Sequence, residues 1–142
     1  MSEAGLAAGD VVAGKYAIVE AIGVGGSATV YRAQRVGMKH EVALKVMHAE
    51  HPDSDNERQR FAREAEMVMK LQHPHVVPLL DYGHTHDGVP FLVFALLHGQ
   101  SLERKIKSEG SLPWALAGRL SVQVLRGDAR RGPRAARRSI RR

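Results

Sequence analysis

Residues 23–33 read GVGGSATVYRA. Three glycines within four positions give way at once to threonine, valine and tyrosine, and that change constrains the fold more than any other feature of the chain. Glycines this dense let a backbone come close to another group, and phosphate is the usual guest. A Walker-type loop would end in Gly-Lys-Ser/Thr, which is missing here. A dinucleotide-type turn would run straight into a helix whose first amides meet a pyrophosphate. Thr29-Val30-Tyr31 instead has the β-branched and aromatic character of a strand. What remains is strand, glycine turn, strand. Such a hairpin is either a tight turn with no ligand or a set of backbone amides folded over phosphates. The turn alone leaves both readings open.

Its neighbours narrow the choice. YAIVEAIG and ATVYRAQR flank the turn as two strands, and HEVALKVM reads as a third. Alternation puts Val42, Leu44 and Val46 on one face of that third strand and Ala43, Lys45 and Met47 on the other. A helix follows, opened by the capping-box pattern Ser54-Asp55-Asn56-Glu57, with Phe61, Glu64, Ala65, Val68 and Leu71 along one face. Pro74 ends it. VVPLLDYG and VPFLVFALL predict two more strands, joined by a turn at Asp87-Gly88. A short helix near SLERKIKSEG and the start of another at PWALAGRLSVQVL come next. Two side chains are out of place in this pattern. An unpaired ammonium is costly to bury, yet Lys45 lies mid-strand, and Glu64 lies on the apolar stripe of the helix. A lone strand lysine often just extends to solvent, but two misfits of opposite sign suggest a pair.

Composition bounds the rest. The chain has 142 residues, 44% hydrophobic and 25% charged, with no cysteine, as expected of a globular domain without disulfides or thiolate metal sites. The net charge of +6 is unevenly spread. The last 17 residues hold eight Arg and one Asp, and the first 125 are within one charge of neutrality. The folded part is therefore no nucleic-acid-binding domain in its own right, although a basic tail suits nonspecific polyanion contact. The start, MSEAGLAAGD, lacks a basic and apolar leader, and no run is long enough to span a membrane, so the expectation is a cytoplasmic protein. His73 and His75, with His84 and His86, form two His-x-His pairs. No acidic or cysteine partner is spaced to complete a tetrahedral metal set with them.

From about Val11 to Leu125 the chain resembles the N-terminal lobe of bacterial-type serine/threonine protein kinases. Gly23-Val24-Gly25-Gly26-Ser27-Ala28-Thr29-Val30 is similar to the family's glycine loop, with Ala28 in place of the third glycine. Lys45 matches the strand lysine that contacts the α- and β-phosphates, and Glu64 the helix glutamate that positions it. The HPHVV stretch at 73–77 resembles the loop after that helix. The resemblance implies an ATP site made of Ile22, the glycine loop, Val30 and Ala43 at the adenine, Phe94 at its back wall, and a hinge from Ala95 to Leu97. It also implies an α+β fold: a five-stranded antiparallel sheet with one helix in residues 15–97, and the first helices of an incomplete second lobe in 98–125. Residues 1–14 are expected to be a flexible lead-in, and 126–142 a disordered basic tail.

The family's chemistry needs more than this stretch. A His-Arg-Asp-type loop supplies the base, and a downstream Asn and an Asp-Phe-Gly hold Mg²⁺. None of these motifs occurs in the sequence. The expectation is thus weak ATP binding, no protein ligands for Mg²⁺, and no transfer to a protein substrate by this chain alone. A non-catalytic module, docking on another kinase or holding polyanions through the tail, is the alternative. Asp81 and Asp87 are expected to be solvated. Gly127, Gly132 and Pro133 should interrupt the last helix, and the Arg-, Ala-, Gly- and Pro-rich tail suggests GC-rich DNA read out of frame from near Arg126, which would truncate a longer kinase.

Overall fold

The computed structural model describes residues 5–48 and 55–131, which separate into two units. The first contains β1 (Val11–Val12), β2 (Tyr16–Val24), β3 (Ala28–Arg35), β4 (Glu41–Met47), α1 (Asp55–Met69), β5 (Leu79–His84) and β6 (Pro90–Ala95). Among the described residues the six strands form one antiparallel sheet in the order β1-β2-β3-β4-β6-β5. The five expected strands are all present. Ser54, the expected helix cap, lies outside the described residues.

The sixth strand, β1, falls in the segment expected to be flexible. Two valines after a glycine-rich stretch are too few to show an alternation, so no local pattern announces them. Tertiary contacts fix them instead. Val11 and Val12 pair with Ala17 and Tyr16. Gly9 N–H donates to Ile18 O at 2.9 Å, and Ile18 N–H donates to Asp10 O at 2.8 Å. Leu6 packs on the core, and its N–H donates to the Tyr31 hydroxyl at 3.1 Å. From Leu6 onward this segment covers the sheet.

Alternation along the strands makes one face the core. Tyr16 and Ile18 of β2, Tyr31 and Ala33 of β3, Val42 and Leu44 of β4, and Phe91 and Val93 near the start of β6 cluster there, each at most 4% exposed. Pairing aligns Tyr31 with Leu44 and Leu44 with Val93, so one apolar row crosses three strands. Gly83 of β5 sits opposite Phe91, and a Cβ there would lie 2.9 Å from the Phe91 ring. Glycine is what lets the far edge of that ring approach the strand so closely. Asp81 is not the solvated acid expected of a strand end. Its Oδ2 accepts from the Tyr16 hydroxyl at 2.6 Å and lies 3.7 Å from Lys15 Nζ. Asp87 is exposed and pairs with His86 at 2.9 Å.

The second unit comprises Leu71–Val77 and the chain from Leu97 on, with α2 (Leu102–Glu109) and α3 (Trp114–Arg131). Ser101 caps α2 by accepting from Arg104 N–H at 3.2 Å. Gly110, at φ 81°, closes its other end by donating to Ile106 O. The expected break at Gly127 does not occur, and α3 runs through it to Arg131. A helical glycine costs only about 1 kcal/mol against alanine, which is too little to end a helix. Here it also has a packing reason, since a Cβ would meet His75 O at 3.1 Å and Val76 Cγ2 at 3.3 Å. The first six residues of the expected tail are therefore helical. Gly132, Pro133 and the rest of the tail lie outside the described residues.

Candidate functional site

The face of the sheet opposite the core collects the residues singled out from the sequence. Gly23 pairs with Val30, Val30 with Lys45, and Lys45 with Leu92, forming one row across β2, β3, β4 and β6. The next row carries Arg32, Ala43 and Phe94. Val30, Ala43, Lys45 and Phe94 are all half-buried, in contrast to their core-facing neighbours. Strand pairing alone thus brings an ammonium, a short aliphatic floor and an aromatic ring onto one surface beside the glycine turn.

The turn is a plain hairpin end in which Gly25 N–H donates to Ala28 O at 2.9 Å. Neither Gly25 nor Gly26 has a positive φ, and neither does Gly23. A Cβ on Gly26 would meet nothing within 4 Å, and one on Gly25 would reach only ordinary contact with Ala28 O at 3.4 Å. The hairpin itself does not require these glycines. Ile22 and Val24 on β2 are exposed, at 49% and 79%, and β2 shifts register between Ala21 and Gly23, where Ile22 is the extra residue.

The Lys45 side chain makes no hydrogen bond or ion pair with any described residue. The expected partner does not reach it. Glu64, half-exposed, pairs instead with Arg60 Nε at 3.1 Å, one helical turn back. The orientation of α1 is set at β5 rather than at β4. Phe61 packs edge-on to Tyr82 and His84, and the Tyr82 hydroxyl donates to Glu66 at 3.1 Å. Ala65 is the buried residue of the helix, so its inward stripe runs past Glu64 rather than through it. Periodicity alone grouped Glu64 with that stripe.

Ala95 ends β6, where its N–H donates to Pro78 O at 3.1 Å, and Leu97 opens the second unit with 66% exposure. Leu92, Phe94 and Leu96, just before it, are half-buried. The histidine pairs have other occupations. His73 and His75 contact each other ring to ring at 5.3 Å, His84 meets Phe61, and His86 pairs with Asp87. Among the described residues, no three His, Asp or Glu side chains cluster as metal ligands.

Sequence reasoning missed His48. It follows β4 directly, and its backbone N–H donates to Ser27 O at 2.8 Å. Its Nε2 lies 2.8 Å from Thr29 Oγ1, and its Nδ1 lies 3.4 Å from Gly26 O. The one available signal was register, since extending the Ala28–Met47 pair by one step sets residue 48 beside the turn.

Comparison with known proteins agrees with this fold. The protein kinase domain family matches residues 16–128. The DNA damage-responsive serine/threonine-protein kinase RqkA of Deinococcus radiodurans is 47% identical over 100 residues, covering 70% of this chain and 15% of that protein. Serine/threonine-protein kinase PrkC of Bacillus subtilis is 33% identical over 104 residues, covering 73% and 16%. The crystal structure of the Mycobacterium tuberculosis PknI kinase domain superposes with a TM-score of 0.77 at 27% identity, over 89% of this chain and 51% of that one. The chain thus spans about half of a solved kinase domain and about a sixth of the curated relatives it matches.

Proposed function

This chain belongs to the protein kinase family, with serine/threonine kinases as its relatives, and from that premise we propose that it carries the ATP-binding half of a serine/threonine kinase site. The observation that carries the reading is the glycine turn. Gly25 and Gly26 meet no crowding and no positive φ within the protein, so the close approach that glycine permits is reserved for a ligand. Lys45, on the same face and without a side-chain partner among the described residues, is a cation placed to meet the α- and β-phosphates. Val30 and Ala43 offer an apolar surface for adenine, backed by Phe94, and the backbone of Ala95 to Leu97 offers the hinge contacts.

Mg²⁺ fits this residue set poorly. The acid expected nearest the phosphates, Glu64, is held by Arg60, Glu20 and Glu41 pair with Arg32, and among the described residues no three His, Asp or Glu side chains cluster as metal ligands. The chain's own residues bind and orient a triphosphate, and no base for a substrate hydroxyl is assigned among them. We therefore expect ATP affinity on the order of hundreds of micromolar and no transfer to protein by this chain alone. In a longer kinase the same residues would hold ATP for phosphorylation of a protein substrate.

Calorimetric titration with ATP tests the reading. Saturable binding that disappears in Lys45→Ala, with the melting temperature unchanged, is the expected result. Absence of saturable binding, or binding indifferent to Lys45, would move a non-catalytic docking or polyanion-binding role ahead.

A further inference from the structure

We propose that His48 is a positioning residue that clamps the glycine-rich turn from behind. Thr29 is the buried polar side chain of the described core, 9% exposed, and a buried hydroxyl needs a partner. The partner is His48 Nε2 at 2.8 Å. The ring's other nitrogen faces Gly26 O, which can only accept, so Nδ1 carries the proton and Nε2 accepts from the Thr29 hydroxyl. The backbone of the same residue holds Ser27 O. One residue therefore ties Gly26, Ser27 and Thr29, the tip and the outgoing strand of the turn, to the end of β4.

Its side matters. Alternation puts Thr29 and His48 with Val46 and Leu44, opposite Lys45 and Val30. The clamp leaves the ligand face clear while fixing the backbone that lines it. Glycines that the hairpin does not need would otherwise leave the tip with many conformations, and a turn ordered beforehand spares that entropy when phosphates bind. Since His48 is itself exposed, its ring bonds compete with water and the effect is modest.

The ligand part of this inference rests on the ATP reading, and the turn part does not, so the experiment has two arms on the whole chain. In the first, hydrogen exchange is followed at the Gly25 and residue-48 amides, whose bonds close the turn. His48→Ala should speed exchange there roughly fivefold, the equivalent of one modest hydrogen bond. Thr29→Val should do the same, and the double variant should add little, because both break one contact. In the second, ATP should bind His48→Ala several-fold more weakly while adenosine, which lacks phosphates, binds unchanged. Unchanged turn exchange in His48→Ala, or additive effects of the two substitutions, overturns the clamp. Faster turn exchange in His48→Ala, together with a wild-type protein that binds no ATP, upholds the clamp and removes the ATP reading. Equal weakening for ATP and adenosine overturns the positioning role, as a general loss of structure would act on both. Should His48→Ala fail to fold, ring nitrogen shifts in the wild type decide: a protonated Nδ1 and an accepting Nε2 support the clamp, and the other tautomer overturns it.

Discussion

Leu44 and Lys45 are adjacent on β4 and belong to different environments. Leu44 is fully buried in a row running from Tyr31 to Val93. Lys45 lies in a row from Gly23 to Leu92 whose members are exposed or half-buried, and it has no partner among the described residues. A single backbone thus carries one face that is complete within the protein and one that is not. Stability resides in the first face and, on the proposed reading, ligand binding in the second, so substitutions on the two should separate cleanly.

The largest effect should come from the core face. Leu44→Ala is expected to cost about 3 kcal/mol, as a buried leucine replaced by a cavity does. Chemical denaturation measures it, and a loss below about 1 kcal/mol would mean that the core face is no better packed than the site face. Gly83→Ala should cost about 2 kcal/mol, because its Cβ would press on the buried Phe91 ring 2.9 Å away. If thermal melting shows no loss, β5 moves aside and the row is less rigid than its burial implies.

Tyr16→Phe tests the tie between β2 and β5 and should cost about 1.5 kcal/mol, typical of a hydrogen bond to a carboxylate. Its pH profile sharpens the test. Burial, then the hydrogen bond to Asp81 and its charge, push the Tyr16 hydroxyl up to about 12 from its ordinary value of 10.0. The folded state therefore keeps its proton longer than the unfolded one. The stability this contributes is full below pH 10 and is lost as pH climbs towards 12. Denaturation at a series of pH values should show that decline reduced in Tyr16→Phe. The smallest effect belongs to Arg60→Ala, about 0.3 kcal/mol for an exposed helical ion pair. A loss above 1 kcal/mol would show that α1 depends on that pair rather than on Phe61 and Tyr82.

Most of the fold was legible because period-two alternation leaves a strong mark in YAIVEAIG, ATVYRAQR and EVALKVM. Lys45 stood out for the same reason, as a charge at a strand position. Most of what escaped depends on distant partners. Val11–Val12 are strand only because Tyr16 and Ala17 lie alongside. Glu64 has the right period for the inward stripe, but Arg60 is four residues away and competes for it locally. Asp81 sits where strand ends usually face water, and Tyr16, 65 positions earlier, draws it in together with Lys15. His48 carries no motif at all. Gly127 looked like punctuation until His75 showed what it was making room for.

The short β1 has a consequence for how the chain behaves in a crowded solution. Without it, β2 would be a nine-residue outer strand offering a long row of unpaired amides and carbonyls, the kind of edge on which other chains add strands. Residues 9–12 occupy that row from Tyr16 to Ile18, and a two-residue strand is too short to serve as a template in its turn. Beyond Ile18 no described strand lies outside β2, and there the register shifts at Val19 and Ile22 and the approach to the glycines keep it from being flat. A fragment begun at residue 15, where the strand pattern in the sequence starts, would discard this guard along with Leu6, and would leave the edge of β2 open to association.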